Sequence, residues 1–449
     1  MTLRPDVTKA LAEWIVSCDL EAIPAEVQKE GVRTFVNWLG CAVGGARHET
    51  ADLALAAVAP FSGSATSTVL GRGERLDALH AALLNGITSH VLDYDDTHLK
   101  TIIHPAGPVA SALLAVAETR SVSGRDFLNA LIVGVEVECR IGNSVYPDHY
   151  DRGWHITGTA GVFGAAAAVG RLLGLNVQQM TWALGIAATQ SSGFREMFGT
   201  MCKSFHPGRA AQNGALAAFL AEANFDSSEQ AIEAPRGFAS VMSDKQDYNE
   251  ILGGLGETWE AGLNSYKPFA CGIVIHPTID GCIQLREELG DGVEKIARVD
   301  LVAHPLVLEL TGKPEPKTGL EGKFSVFHSV AVALLRGDGS PTAFTDEAVN
   351  APELIAMRRK VEVVTDKACH EAAVTITVTL DDGRVIEKHV ERAIGSRERP
   401  LSDEQLNAKF CGQAALVIGE AASDELLEQA WRLPEMTSVG DLAAASLPR

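Results

Sequence analysis

The chain has 449 residues, 46% of them hydrophobic and 21% charged, which excludes a disordered or membrane-embedded protein and predicts a folded chain of two domains. Its formal charge of −20 excludes nucleic acid as a partner, because phosphate binding needs Lys and Arg clustered on an exposed face. No run of about 18 uncharged apolar residues occurs, and Met1-Thr-Leu-Arg-Pro-Asp6 lacks the basic start and apolar stretch of a signal peptide, so no membrane association and a cytoplasmic location are expected.

In chain order, the first part to about residue 265 reads as successive helices with short polar breaks. Val32, Phe35, Val36 and Leu39 have the i, i+3, i+4, i+7 spacing of one buried stripe, and Leu79, Leu83 and Ile87 mark a second. The small-residue stretch from Gly158 to Leu175 predicts a central helix that neighbours can approach closely. A further helix is predicted over Ala210–Ala221. After residue 290 the pattern changes. Val299–Leu310 and Val361–Val390 are rich in β-branched residues, and Val374, Ile376, Val378 and Leu380 alternate with threonines before the turn Asp381-Asp382-Gly383, an amphipathic hairpin. Phe324–Leu335 reads as a helix between the strands, which makes this region α+β. At Ser402-Asp-Glu-Gln405 a capping box opens a helical tail. The eight cysteines are scattered without zinc or disulfide spacing, so reduced thiols are expected.

An acidic protein that binds acids must concentrate its few cations, so the placement of Lys and His is informative. His104, His206, His276 and His304 each stand directly before proline, which keeps the preceding residue out of the α region and favours the first turn of a helix. Three or more of these imidazoles should therefore sit at helix N-termini, where free N–H groups and the helix dipole attract carboxylates; the plain alternative is a helix start with a surface imidazole. Asp93-Tyr-Asp-Asp96-Thr97-His98 packs three carboxylates behind a helix, and suits a divalent metal, a carboxylate that orients a base, or a solvated helix end. Lys203, His206 and Arg209 fall within seven positions, and Lys267 stands where the helical pattern gives way to the mixed one, the place for an interdomain cleft. His155 precedes the small-residue helix. Proton removal beside a carboxylate builds a second negative charge there, and fixed cations with neutral imidazoles meet that need. Dinucleotide, phosphate-loop, serine-hydrolase and zinc-protease motifs are absent; Gly319-Leu-Glu-Gly-Lys323-Phe has the wrong spacing for a phosphate loop.

Taken in order, Leu92-Asp-Tyr-Asp-Asp-Thr97 with His104-Pro105, Gly153-Trp-His155-Ile-Thr-Gly-Thr159 with Phe163-Gly-Ala, Gly199-Thr-Met-Cys-Lys203, Tyr266-Lys267-Pro268 and Glu321-Gly-Lys-Phe-Ser325 resemble the MmgE/PrpD family over nearly the whole chain. The resemblance implies a mainly α fold, with a large all-helical domain from residues 1–266 and 400–449 and a smaller α+β lid domain from 267–399. It implies a homodimer that works on a small polycarboxylate without metal or organic cofactor. By position in the matching motifs, Asp93, His104, His155, Lys203 and Lys267 become the catalytic set, with His104 or His155 moving the proton. Thr97, His206 and Arg209 become substrate-binding. Related proteins dehydrate 2-methylcitrate, decarboxylate cis-aconitate or epimerise iminodisuccinate; dehydration is the first expectation, with the other two as alternatives. The segment Thr97-His98-Leu-Lys100-Thr-Ile-Ile103 departs from the better-known members and is where specificity would differ.

Overall fold

The computed structural model describes residues 6–448; Met1–Pro5, on which the reading of the N-terminus partly falls, and Arg449 lie outside the described residues. The first apolar stripe lies on the helix Ala25–Gly44, with Val32, Phe35, Val36 and Leu39 all buried. Helix Ala78–Val91 carries the second; the side chain of Asp77 caps its first turn by accepting from the Leu79 and His80 N–H groups. The small-residue stretch forms helix Ile156–Leu172, buried almost throughout. Its small side chains serve close packing: a Cβ on Gly214, in the facing helix Cys202–Glu222, would lie 2.7 Å from the Ala166 nitrogen. Among the described residues no helix is long and apolar enough to cross a membrane.

Helix Cys202–Glu222 begins eight residues earlier than its pattern suggested and runs through Pro207. The His206-Pro207 pair is therefore internal rather than a helix start, because packing overrides the local proline signal. Gly208 and Gly86 let this helix and Ala78–Val91 nearly touch, a Cβ on Gly86 falling 2.5 Å from the Gly208 Cα. The other three His-Pro pairs do mark starts, of helices Ala106–Ala117, His276–Leu289 and Leu306–Thr311.

Beyond residue 290 a four-stranded sheet has the order Val361–Thr365, Ile296–Ala303, Val374–Leu380, Val385–Val390, with the first two parallel and the rest antiparallel. The alternation along Val374–Leu380 is the pleat: Val374, Ile376, Val378 and Leu380 are buried and the intervening threonines are not. Helix His276–Leu289 lies against the buried face, where a Cβ on Gly281 would come 2.6 Å from Ile376 Cδ1. Helix Val326–Arg336 packs beside it. The capping box at Ser402 and Gln405 opens helix Asp403–Ile418.

Two large apolar clusters organise the described residues, beside a small third of Ile103, Tyr150, Ile156 and Ala160. One draws on residues 7–266 and returns for Leu401 to Ala443; the other spans Phe269 to Val390 and takes in buried Cys41 and Tyr94 from earlier in the chain. The chain crosses between them at 266–269 and again at 390–401, beside the antiparallel pairing of Asp96–His98 with Asn264–Tyr266. Strands of three residues are too short to show a period in the sequence.

Candidate active site

Asp93 follows the end of helix Ala78–Val91 in a left-handed conformation, φ +50°, which Asp tolerates better than most side chains. Three residues later Asp96 pairs with Tyr266, and this short ladder carries Lys267 to the Asp93 turn across 174 positions of sequence. The Asp93 Oδ1 accepts from Lys267 Nζ at 2.7 Å and from Lys203 Nζ at 2.9 Å. Lys203 comes from the first turn of its helix, and His206, three positions on, shares its buried face.

Charge follows from this geometry. Burial pushes Asp93 up, but the two ammonium groups outweigh it and hold the carboxyl well below its ordinary range. Burial draws Lys203 below the usual lysine range in spite of Asp93, and the neighbouring Lys267 charge adds to the fall. Lys267, 1% exposed, is held above that range because Asp93 and Asp95 together exceed the burial penalty. Of the two lysines, Lys203 is the one poised to give up a proton.

Two histidines lie along the same cavity. The His104 Nδ1 is 2.7 Å from the Asp96 carbonyl oxygen, an acceptor only, so Nδ1 carries the proton and the neutral ring keeps its lone pair on Nε2. Burial, reinforced by Lys267, keeps this imidazole neutral, its pKa well below the ordinary value, although Asp95 pulls the other way. His155 immediately precedes helix Ile156–Leu172, and its Nδ1 lies 2.8 Å from the His206 Nδ1. Burial first, then His206 and Lys203, hold His155 neutral as well.

All five residues expected to be catalytic, Asp93, His104, His155, Lys203 and Lys267, line one cavity with Tyr150, Phe198, Leu310, Thr311 and Phe324. It holds about 30 Å³ of internal space and opens partly to solvent, and its apolar walls include Ile273, Val274 and Leu310 of the second cluster with Ile102 and Tyr150, which pack with Ile103 and Ile156. The residues expected to bind substrate lie elsewhere. Thr97 is fully buried with its hydroxyl 3.2 Å from His104 Nδ1, behind that ring. His206 stands behind His155. Arg209 is exposed and donates to Gln212 at 2.5 Å, about a third of a turn round its helix from Lys203. None of the three is on the cavity wall.

Sequence reasoning passed over His90. Its Nδ1–H donates to Asp95 at 2.6 Å and its Nε2 accepts from Lys203 at 2.9 Å, so it links the second carboxylate of the Asp turn to the titratable lysine. A signal was present: His90 continues the stripe Leu79, Leu83, Ile87, and a histidine on a buried apolar stripe needs partners. Lys323, from the matched Glu321-Gly-Lys323 string, is also buried. It donates to the carbonyls of Leu92 at 2.6 Å and Ala270 at 2.8 Å, tying the residue before Asp93 to the segment after Lys267. Burial lowers its pKa to about 8.

Ring nitrogens of His90, His104 and His155 lie within 4.8 Å of one another. Both His90 nitrogens are already committed, to Asp95 and Lys203, and both lysines are bonded to Asp93, so these groups are not read as a ligand set for an ion. What the arrangement offers is two ammonium groups, two neutral imidazoles whose Nε2 atoms have no hydrogen-bond partner among the described residues, and a low-dielectric wall around them: the equipment for holding carboxylates and moving a proton at a neighbouring carbon.

The MmgE/PrpD N-terminal domain matches residues 9–251 and the MmgE/PrpD C-terminal domain residues 269–433. The chain is 27% identical over 470 residues to a cis-aconitate decarboxylase of Aspergillus terreus, covering 98% of this chain and 95% of that protein. It is 26% identical to the cis-aconitate decarboxylase of Mus musculus over 84% of this chain and 80% of that one. A mitochondrial 2-methylcitrate dehydratase of Yarrowia lipolytica is 23% identical over 88% and 82%. With both domain models matched along most of its length, the chain belongs to the MmgE/PrpD family.

Proposed function

We propose that this protein is a lyase acting on a small di- or tricarboxylic acid by proton transfer at a carbon beside a carboxylate, using its own side chains without metal or organic cofactor. The observation that carries the reading is the convergence of Lys203, Lys267, His104 and His155 on one cavity around Asp93. Lys267, firmly cationic, holds a substrate carboxylate. The Nε2 lone pair of His104 or of His155 serves as base, and Lys203, backed by His90 and Asp95, returns a proton. Residues 267–399 would act as the lid over residues 1–266 and 400–449, and Lys323 would couple lid position to the Asp93 turn.

Decarboxylation of cis-aconitate is the first reaction to test, because the relatives at 27% and 26% identity carry that activity in their names, against 23% for the 2-methylcitrate dehydratase. There the C–CO2 bond breaks, its electron pair stays on the carbon framework, and an enzyme proton fills the carbon. Dehydration of a hydroxy acid such as 2-methylcitrate is the second. Asp93 Oδ2 is buried without a partner among the described residues, and a substrate hydroxyl would supply the donor it lacks. In that case His104 or His155 takes the α-proton, the C–O bond breaks, and hydroxide leaves as water with the Lys203 proton.

The test is proton NMR in D2O of chelator-treated protein with cis-aconitate, 2-methylcitrate, citrate and iminodisuccinate, beside a Lys203→Ala control. New vinyl signals with loss of CO2, loss of water, or solvent deuterium uptake alone would assign decarboxylase, dehydratase or epimerase. Silence across the panel, or turnover undiminished in the control, would sink the proposal.

A further inference from the structure

His206 is buried on the far side of His155 from the cavity, and its seat is built for it. Gly193, at φ +128°, lies so close that a Cβ there would be 3.2 Å from the His206 ring, and a Cβ on Gly158 would be 3.2 Å from the His206 Cβ. The His155 backbone N–H is fixed to the Gly193 carbonyl at 3.0 Å, and Phe198 meets the His155 ring edge-on at 5.0 Å. The two imidazoles are thus held with Nδ1 facing Nδ1 at 2.8 Å.

That contact constrains protons. Two lone pairs at 2.8 Å repel, and two N–H groups collide, so one proton lies between the rings. Resting on the proposed reaction at this site, we infer that His206 is a positioning residue that sets the working tautomer of His155 and shuttles its proton. With the shared proton on His155, its Nε2 offers the cavity a lone pair and His206 carries its own proton on Nε2. With the shared proton on His206, His155 offers the cavity an N–H. When His155 takes a substrate proton at Nε2, it passes the Nδ1 proton to His206, which becomes the imidazolium, while His155 is left neutral and able to donate. Each step moves one proton and no electrons. The pair lets one cavity imidazole serve as acceptor and then donor, without a reorientation of the ring.

Two variants separate shuttling from mere support. His206→Phe fills the seat but removes the nitrogen; His206→Asn places a hydrogen-bonding atom near the Nδ1 position but cannot relay a proton. Nitrogen-15 NMR of histidine-labelled protein should show His155 and His206 Nδ1 signals intermediate between protonated and unprotonated values, and His206→Phe should collapse His155 to one tautomer. With the active acid, both variants should lose kcat by at least about tenfold, with KM in His206→Asn near the parent value and the alkaline or acid limb of the pH profile altered. The NMR arm reads the shared proton even if no acid in the panel turns over, so its failure is distinct from failure of the proposed reaction. Fixed, unshared tautomers in the parent, or a His206→Asn enzyme with parental kcat and pH profile, would overturn the inference.

Discussion

Replacing Asp93 by Asn keeps the volume, and Asn tolerates the φ of +50° at this turn, so the change isolates the loss of one charge. Two ammonium groups, bonded to Oδ1 at 2.7 and 2.9 Å, then remain buried without their bonded counter-ion, and only the Asp95 carboxylate, bonded to neither, is left to offset them. Removing one partner of a buried, hydrogen-bonded ion pair costs ~3–5 kcal/mol, and here the two cations also repel each other. The sign with pH follows. In the variant both lysines lose protons in the folded state at lower pH than in the unfolded chain, where they titrate near the ordinary lysine value of about 10.4. The unfolded chain then binds more protons, so the variant gains stability relative to the parent as pH rises. Urea unfolding followed by tryptophan fluorescence at pH 7 and pH 9.5 should show a deficit of that size at pH 7 that narrows at pH 9.5. Adding Lys203→Met should restore part of it at pH 7. Asp93→Asn within about 1 kcal/mol of the parent at both pH values would refute the account of a charge-balanced triad.

Gly208→Ala drives a methyl group onto the Leu83 carbonyl oxygen, 2.4 Å away, and should cost ~1–3 kcal/mol in denaturant while lowering turnover, because the same helix carries Lys203 and His206. Arg209→Ala, at an exposed guanidinium off the cavity wall, should leave kcat/KM within about twofold and stability within ~0.5 kcal/mol; a tenfold loss would restore the substrate-binding role its position in the motif suggests. Glu138 is fully buried with both carboxyl oxygens unpartnered among the described residues, and burial, with Asp96 adding to it, raises its pKa well above the ordinary value. Stability tied to such a raised carboxyl is lost as pH rises, so Glu138→Met should stabilise the fold by ~1–3 kcal/mol at neutral pH and by less at pH 5, and destabilisation by thermal melting would show that the carboxyl has a role.

Local pattern carried most of the secondary structure. The alternation Val374 to Leu380, the capping box at Ser402 and the stripe on Ala25–Gly44 each depend on neighbours a few residues apart, so composition and period suffice to read them. The five residues on the cavity wall were legible too, since each sits in a short polar string that its family resemblance picks out. Helix Cys202–Glu222 was misjudged at its start because glycine-to-glycine contact with Ala78–Val91 lets it run through Pro207, and that contact is between segments over a hundred residues apart. Thr97, His206 and Arg209 share their motifs with the lysine and histidines that line the cavity, but which side of an element faces the cavity depends on its packing. His90 shows the same limit: its partners Asp95 and Lys203 converge only when the Asp turn and helix Cys202–Glu222 are docked. Sequence by itself determined which elements form and which polar groups are available. The tertiary structure alone decided which of those groups meet, how two lysines divide one carboxylate, and which imidazole nitrogen is left free, because charge and proton position depend on contacts across the chain.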